Sequence, residues 1–319
     1  ILLLANDNNN SEIHISTIDS KSDLQLIKSY IDSYPKGKGE FSFAPKDLEP
    51  TIKWRKYYQV QNSINYNNLV PFSTYAKVVR GIATGANDYF TFKPSKAKEF
   101  NIPESNLLPC ICKAKDVKTN FFTSEHFKNL IKKDELTYLF NGQQSKSEEV
   151  ENYIKKGEQE EINEKFLTKS RKPWYALEKR PPAPIWVSVF NRNGVKFIRN
   201  EANISNLTTF HCVYPTNSDL FSKVSIDLLF AYLLTDVSKD IFSDNRREYG
   251  NGLKKFEPND LNKSKMLDLS ILSQAKVEEI LELYSNYRQS ENEKYIAEID
   301  LILRNEYSNA KSHTPVSYT

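Results

Sequence analysis

At 319 residues the chain is long enough for one large domain or two ordinary ones, and its 39% hydrophobic content supports a core and excludes a disordered protein. The 44 basic and 41 acidic residues leave a net charge of only +3, so any nucleic-acid surface must come from local clustering. Cys110, Cys112 and Cys212 cannot all pair within one chain and read as free thiols of a reducing cytoplasm, and no apolar run is long enough to span a bilayer.

In chain order, residues 1–18 read as a hairpin: Ile1–Ala5, an Asn-rich turn, then alternating Ile13, Ile15 and Ile18. The only methionine is Met266, so a chain starting inside an apolar strand reads as cut from something longer. Leu24, Ile27 and Ile31 have helical spacing, broken by Pro35 to Gly39, which reads as a solvated turn. Residues 51–78 are aromatic and polar and lead into a strand over Tyr75–Arg80.

Val79 to Phe90 then holds two of only nine glycines, Gly81 and Gly85, between two β-like runs and beside Arg80 and Asn87. Glycine serves backbone that must turn sharply or approach a partner closely, and Arg and Asn read phosphates and base edges. Lys77, Arg80, Gly81, Thr84, Gly85 and Asn87 form the first candidate cluster for DNA; an ordinary glycine turn would look the same.

A strand over Phe90 to Phe92, a short helix over Ser95–Phe100 and a buried strand over Leu107–Cys112 follow. Gln143–Lys169 is charged and helical, interrupted by Gly157, and reads as a solvated helix or helix pair. Ile185–Phe190, the turn Arg192-Asn193-Gly194 and the returning Val195–Ile198 make a hairpin whose tip is a weaker binding candidate. Ser225–Phe242 reads as one buried helix, and Lys276–Tyr307 as long C-terminal helix. Between them, Asn245 to Lys255 gathers Arg246, Arg247, Tyr249, Gly250, Gly252, Lys254 and Lys255 in what reads as an exposed loop. Its cations could neutralise phosphates, and its tyrosine could stack or hydrogen-bond. The same residues would also suit a basic helix end. Without steady βαβ alternation, the fold class is α+β: a twisted mixed sheet with packed helices and a C-terminal helical region.

Catalytic signals do not emerge. His14, His126, His211 and His313 are scattered without metal-ligand spacing, and there is no nucleophile elbow or phosphate-binding loop. His211 and Cys212, adjacent on a strand, point to opposite faces. A complete enzyme of unrelated chemistry, such as a nuclease, is a third reading that scattered acids such as Asp134, Glu135 and Asp219 leave open, although no paired metal-binding carboxylate motif supports it.

Six stretches, in this order, carry a family resemblance: Arg80–Phe90; Leu107–Cys112; Leu167–Glu178 with Arg171-Lys172-Pro173-Trp174-Tyr175; Pro182–Asn200; Asn206–Pro215 with His211-Cys212-Val213-Tyr214-Pro215; and Arg246–Leu261 with Tyr249-Gly250-Asn251-Gly252-Leu253. Over about residues 70–270 the chain resembles the C-terminal target recognition portion of bacterial N6-adenine DNA methyltransferases of type II restriction–modification systems. The Tyr-Gly-Asn-Gly form departs from the commoner triple glycine. The family's Asn-Pro-Pro-aromatic and S-adenosylmethionine motifs, which normally lie upstream, are not found; Arg180-Pro181-Pro182-Ala183 lacks the Asn and the aromatic.

The resemblance implies residues 1–20 as terminal strands of a catalytic domain, 21–69 as a connecting segment, 70–270 as a DNA target recognition domain and 271–319 as C-terminal helical. It implies double-stranded DNA and an upstream catalytic domain or subunit as partners, and S-adenosylmethionine as cofactor of the parent enzyme rather than of this chain. The parent would be a bacterial cytoplasmic enzyme. A DNA-binding specificity subunit of a multi-subunit complex is the alternative.

Overall fold

The computed structural model describes residues 12–16, 24–33, 39–50, 55–58, 61–191, 195–216, 224–245, 247–249 and 253–308. The chain divides into two units, Ile1–Gln61 and Asn62–Thr319, and the fold is α+β, as the residue pattern indicates. In the first unit β1 (Ile13–Ile15) pairs antiparallel with β2 (Phe41–Phe43), on either side of α1 (Leu24–Ser33). The expected hairpin partner Ile1–Ala5 lies outside the described residues. Phe43 packs edge-on against Tyr57 of α2 (Arg55–Tyr58).

The second unit begins with β3 (Leu69–Pro71) and β4 (Ala76–Arg80). Next come α3 (Asn87–Phe90), β5 (Thr91–Phe92), α4 (Pro94–Glu99), β6 (Leu107–Ile111), β7 (Phe121–Phe122), α5 (Ser124–Lys132), β8 (Tyr138–Phe140), α6 (Glu148–Gln159) and α7 (Phe166–Lys169). The chain returns through β9 (Ile185–Ser188), β10 (Phe190–Asn191), β11 (Phe197–Asn200), β12 (Ser205–Asn206) and β13 (Phe210–Pro215). The last part holds α8 (Ile226–Leu234), α9 (Asp236–Ser243), β14 (Arg247–Tyr249), β15 (Leu253–Lys255), α10 (Pro258–Asn262), β16 (Lys265–Leu267), α11 (Gln274–Ser290) and α12 (Lys294–Tyr307).

A five-stranded sheet in the order β4-β13-β9-β11-β7 is the spine, antiparallel except for the parallel β11·β7 pair. Strands covered on both faces carry apolar residues on both, and Ile185, Trp186 and Val187 are fully buried. On one face Ile185, Val187 and Val213 meet α8, α9, α11 and α12; on the other Trp186, Ile198, Phe210 and Cys212 form a second cluster, with Trp186 stacked on Phe210 at 5.6 Å. The four-stranded sheet β12-β6-β8-β5 joins the spine through Ile82, which bridges Leu207 and donates its N–H to Asn206 O at 2.9 Å.

The hairpin between Ile185 and Ile198 forms as expected, with Phe197 opposite Val187. The single helix expected over Ser225–Phe242 is two. Thr235 takes an extended conformation, its hydroxyl accepts from Ser238 N and so caps α9, and Asp300 accepts from Val237 N at 2.7 Å. The C-terminal helical run also divides: Glu291, at φ +50°, ends α11, and α12 packs on it through Tyr284, Tyr287, Ile299 and Leu303.

Gly157 does not interrupt its helix, as the sequence suggests, but lies within α6. A Cβ there would stand 2.5 Å from the Trp174 ring and 2.8 Å from Tyr89, so the glycine exists for close approach. It is the floor of an aromatic cluster in which Tyr89 stacks on Tyr153 at 4.7 Å and meets Trp174 at 5.5 Å. Gly157→Ala is expected to cost about 2 kcal/mol of folding stability through overpacking, despite the higher helix propensity of alanine. Equilibrium denaturant unfolding checks this; an unchanged or raised midpoint would contradict the close packing.

Candidate nucleic-acid interface

The first cluster is built on β4, an edge strand of the spine. Lys77 and Arg80 are exposed along it, opposite Tyr214 and His211 of β13. Asn262 of α10 covers the edge by accepting from Val78 N at 2.8 Å and donating to Val78 O at 2.9 Å, as a further strand would. Beyond Arg80 the chain enters a tight turn. Gly81 is buried, and a Cβ on it would meet Leu207 O at 2.3 Å and Phe210 O at 2.6 Å. Thr84 is buried too; its hydroxyl donates to Asn87 Oδ1 at 2.5 Å and accepts from Ala86 N at 3.1 Å. Gly85 is exposed at φ +80°, against the Leu167 side chain, and Asn87 is exposed at the start of α3. Gly81 and Thr84 therefore shape the turn, while Lys77, Arg80, Gly85 and Asn87 reach its surface.

Glu178 and Arg171, which lie in the Leu167–Glu178 stretch of the resemblance but are not among the candidate contacts, hold this turn. Glu178 accepts from Ala83 N at 3.2 Å and from Arg80 NH2 at 3.2 Å, and Arg180 NH2 lies 3.4 Å from the same carboxylate. Arg171 donates to Thr84 O at 2.9 Å and to Ala83 O. The Ala83–Thr84 backbone is thus gripped by a carboxylate at its donor and a guanidinium at its acceptors. Arg180 Nε, buried at the atom level, has no hydrogen-bond partner among the described residues. Phe166 is 91% exposed at the start of α7, one residue before the Leu167 that lies against Gly85. These partners lie some 80 to 100 residues from β4 in sequence, and the only local signal for them is the Arg171 to Glu178 stretch itself.

The second cluster and the hairpin tip, separate in sequence, share one three-stranded ribbon in the order β10-β15-β14. Asn191 pairs with Lys254 and Phe190 with Lys255, while Arg247 pairs with Lys255 and Tyr249 with Leu253. Residues 192–194, with Arg192 and Asn193, lie outside the described residues, as do Arg246, Gly250 and Gly252. Within the ribbon, Arg247 makes a bidentate pair with the buried Asp260, Nε–Oδ2 2.6 Å and NH2–Oδ1 3.2 Å. Lys255 pairs with Glu257 at 2.5 Å and lies 5.4 Å from the centre of the half-exposed Phe190 ring. Arg247 is thereby an anchor of α10, and Lys255 is shared with an acid.

His211 lies between the two clusters. It is opposite Arg80 on β4, its Nε2–H donates to Phe256 O at 2.8 Å, and Lys255 and Glu257 flank that carbonyl residue. The hydrogen bond fixes the tautomer, since a carbonyl can only accept. Nδ1 is buried without a partner among the described residues. Burial lowers the His211 pKa, opposed by its bond to Phe256 O and by Glu257 and reinforced by Lys255 and Arg80. Cys212 packs into the opposite face of the sheet, and all three cysteines are buried free thiols. Asp134 caps α4 by accepting from Ser95 N at 2.8 Å and Ser95 Oγ at 2.6 Å. Among the described residues there is no group of three or more His, Cys, Asp or Glu that could hold a metal ion, and no helix is long and apolar enough to cross a membrane.

A family model described as type II methyltransferase M.Eco57I, C-terminal domain, matches residues 51–303. The chain is 57% identical over 317 residues to the type II methyltransferase M.AccI of Acinetobacter calcoaceticus, covering 98% of this chain and 58% of that protein. It is 23% identical over 199 residues to the type II methyltransferase M.XamI of Xanthomonas campestris pv. amaranthicola, covering 61% of this chain and 36% of that protein. The chain thus spans under two thirds of the length of these relatives. Among solved structures, the type IIG restriction endonuclease BpuSI aligns at a TM-score of 0.47 and 15% identity, over 89% of this chain and 38% of that one.

Two outcomes follow from the geometry. Arg247→Ala removes the bidentate partner of a buried carboxylate and is expected to cost about 2 kcal/mol of stability; the exposed Lys77→Ala should leave unfolding within about 0.5 kcal/mol of wild type. Equal effects would remove Arg247 from its anchoring role. A His211 pKa below the unfolded value means that the unfolded chain binds the extra proton first as pH falls. Stability is then lost as pH drops from about 6.5 through the lower folded pKa. Denaturant midpoints between pH 7.5 and 5.5 should fall more steeply for wild type than for His211→Gln; parallel curves would contradict it.

Proposed function

The chain belongs to the family of the type II methyltransferase M.Eco57I C-terminal domain, and from that membership we infer that it is the sequence-reading portion of a site-specific DNA adenine-N6 methyltransferase. The observation that carries this reading is convergence. Arg80, on one neighbour of β13, and the ribbon that continues β9, its other neighbour, both flank His211. Cationic and polar groups from separate parts of the sequence therefore fall around one strand, as binding to an extended polyanion needs.

In this reading Lys77, Arg246 and Lys254 neutralise phosphates, and Arg80, Asn87, Arg192 and Asn193 contact bases or backbone. Gly85, Gly250 and Gly252 let the main chain approach closely, and Tyr249 stacks or hydrogen-bonds. Arg247 and Lys255 contribute field rather than free donors, because each already has an acidic partner. Gly81 and Thr84 act by shaping the turn. Methyl transfer belongs to an upstream domain that binds S-adenosylmethionine and accepts the flipped adenine, within the bacterial cytoplasm. A specificity subunit would use its helices as free spacers, whereas Ile280, Tyr284, Ile299 and Leu303 of α11 and α12 are committed to the core.

This chain is expected to bind duplex DNA with affinity that falls steeply with salt. Lys77→Ala with Lys254→Ala should weaken binding to all sequences and lower the slope of log affinity against log salt by about 2. A wild-type slope near zero, or no retention of duplex, would sink the reading. Transfer of labelled methyl groups from S-adenosylmethionine should occur with the full-length gene product and not with this chain; transfer by this chain alone would place the catalytic centre within it.

A further inference from the structure

Arg80, like Arg247, is held by a carboxylate, but through one nitrogen only. Its side chain is 52% exposed at the end of β4, and its single hydrogen bond among the described residues runs from NH2 to Glu178 Oε1. The other carboxylate oxygen of Glu178 is fixed by Ala83 N and Arg180. Arg171 in turn holds the carbonyls of Ala83 and Thr84. The partner of Arg80 is therefore held from the loop side, and one end of the guanidinium is tied to it while Nη1 has no hydrogen-bond partner among the described residues.

That arrangement selects among DNA groups. A phosphate is drawn by net charge, and a carboxylate 3.2 Å from the guanidinium opposes it. A neutral pair of acceptors is drawn by directed N–H donors, and there a fixed guanidinium plane gains over a mobile one. The neutral acceptor pair that DNA offers an arginine is O6 and N7 of guanine in the major groove. We propose that Arg80 is a specificity-determining residue that reads a guanine through O6 and N7, and that Glu178 is the positioning residue that orients it. The proposal rests on the reading of this chain as a DNA-recognition domain and extends it to one base and one new residue.

The experiment is selection of bound duplexes from a randomised DNA library by the wild-type chain, Arg80→Ala, Glu178→Gln and, as a control for the exposed charge, Lys77→Ala. Wild type should return a site with guanine required at one position or more. Arg80→Ala should abolish the preference at one guanine position, a change of about 10- to 100-fold against the other bases there, with the remaining positions intact. Glu178→Gln retains an acceptor for Ala83 N, cannot hold both Arg80 and the loop, and should weaken the preference at the same position. Lys77→Ala should lower retention evenly. If wild type retains no duplex, the recognition reading fails and this proposal with it. If wild type selects a site but Arg80→Ala lowers retention evenly, Arg80 is a phosphate contact and the proposal alone is overturned. Loss of preference at one position in Arg80→Ala with an unchanged profile in Glu178→Gln overturns the positioning role. Near-UV circular dichroism of each variant distinguishes a lost contact from a lost fold.

Discussion

One strand constrains both halves of the proposed interface. β13 is buried over Phe210 to Val213 and bonded on both sides, to β4 and to β9. Its side chains alternate between two cores: Val213 toward the helices, Phe210 and Cys212 toward the Trp186 cluster. A slip of one residue would exchange those sets, driving His211 into the Trp186 side and Cys212 toward Phe256, so the register is strongly specified. Because Arg80 is fixed opposite His211 and Ser188 opposite Phe210, the end of β4 and the start of the ribbon inherit that precision from the core.

The second constraint is the grip on the Ala83–Thr84 backbone. Gly81 brings the chain against Leu207 and Phe210 so closely that only a hydrogen fits, Ile82 still bridges Leu207, and Ala83 and Thr84 beyond it lie in no strand. Their polar groups would then need water or side chains. Glu178 and Arg171 supply the latter, so the turn is set before any ligand arrives. Preorganisation of this kind reduces the ordering that binding would otherwise require. Gly81 to Thr84 are all buried and make the shape of the segment, whereas Arg80, Gly85 and Asn87 around them are exposed.

Much of the fold was legible in the sequence, and what was not has a common cause. The strands at Ala76–Arg80, Leu107–Ile111 and Ile185–Ser188 are readable because apolar runs of strand length are local properties of the sequence. The split at Thr235 was hidden because apolar spacing runs straight through it, while the capping hydroxyl is an ordinary threonine whose role depends on Asp300 sixty-five residues on. Gly157 looked like a breaker because its reason, the Trp174 ring, lies on another segment. In the site, residue type identified exposed candidates such as Lys77, Arg80 and Asn87, but could not separate a cation facing solvent from one like Arg247 with a buried acid beneath it. Pairing across long sequence separation decides that difference, and composition carries no record of it.

The ribbon illustrates the point in the opposite direction. Phe190 and Asn191 are too few to declare a strand that leaves the hairpin, and Leu253 to Lys255 reads as loop because two of its three residues are lysines. Joined to Arg247–Tyr249, they form a sheet whose strands are rich in charge and whose exposed ring, Phe190, lies beside the Lys255 ammonium. A ribbon of this composition has little apolar area to bury, so burial does little to hold it together. Its attachment comes instead from the covalent continuity with β9, from Phe256 buried beside His211, and from the Arg247–Asp260 pair on α10. Those attachments all lie at the end where the ribbon meets the spine, and Asn191, Tyr249 and Leu253 stand at the other. The ribbon is therefore held where it meets the spine, by pairing and by Phe256 and Asp260, rather than by an apolar core of its own.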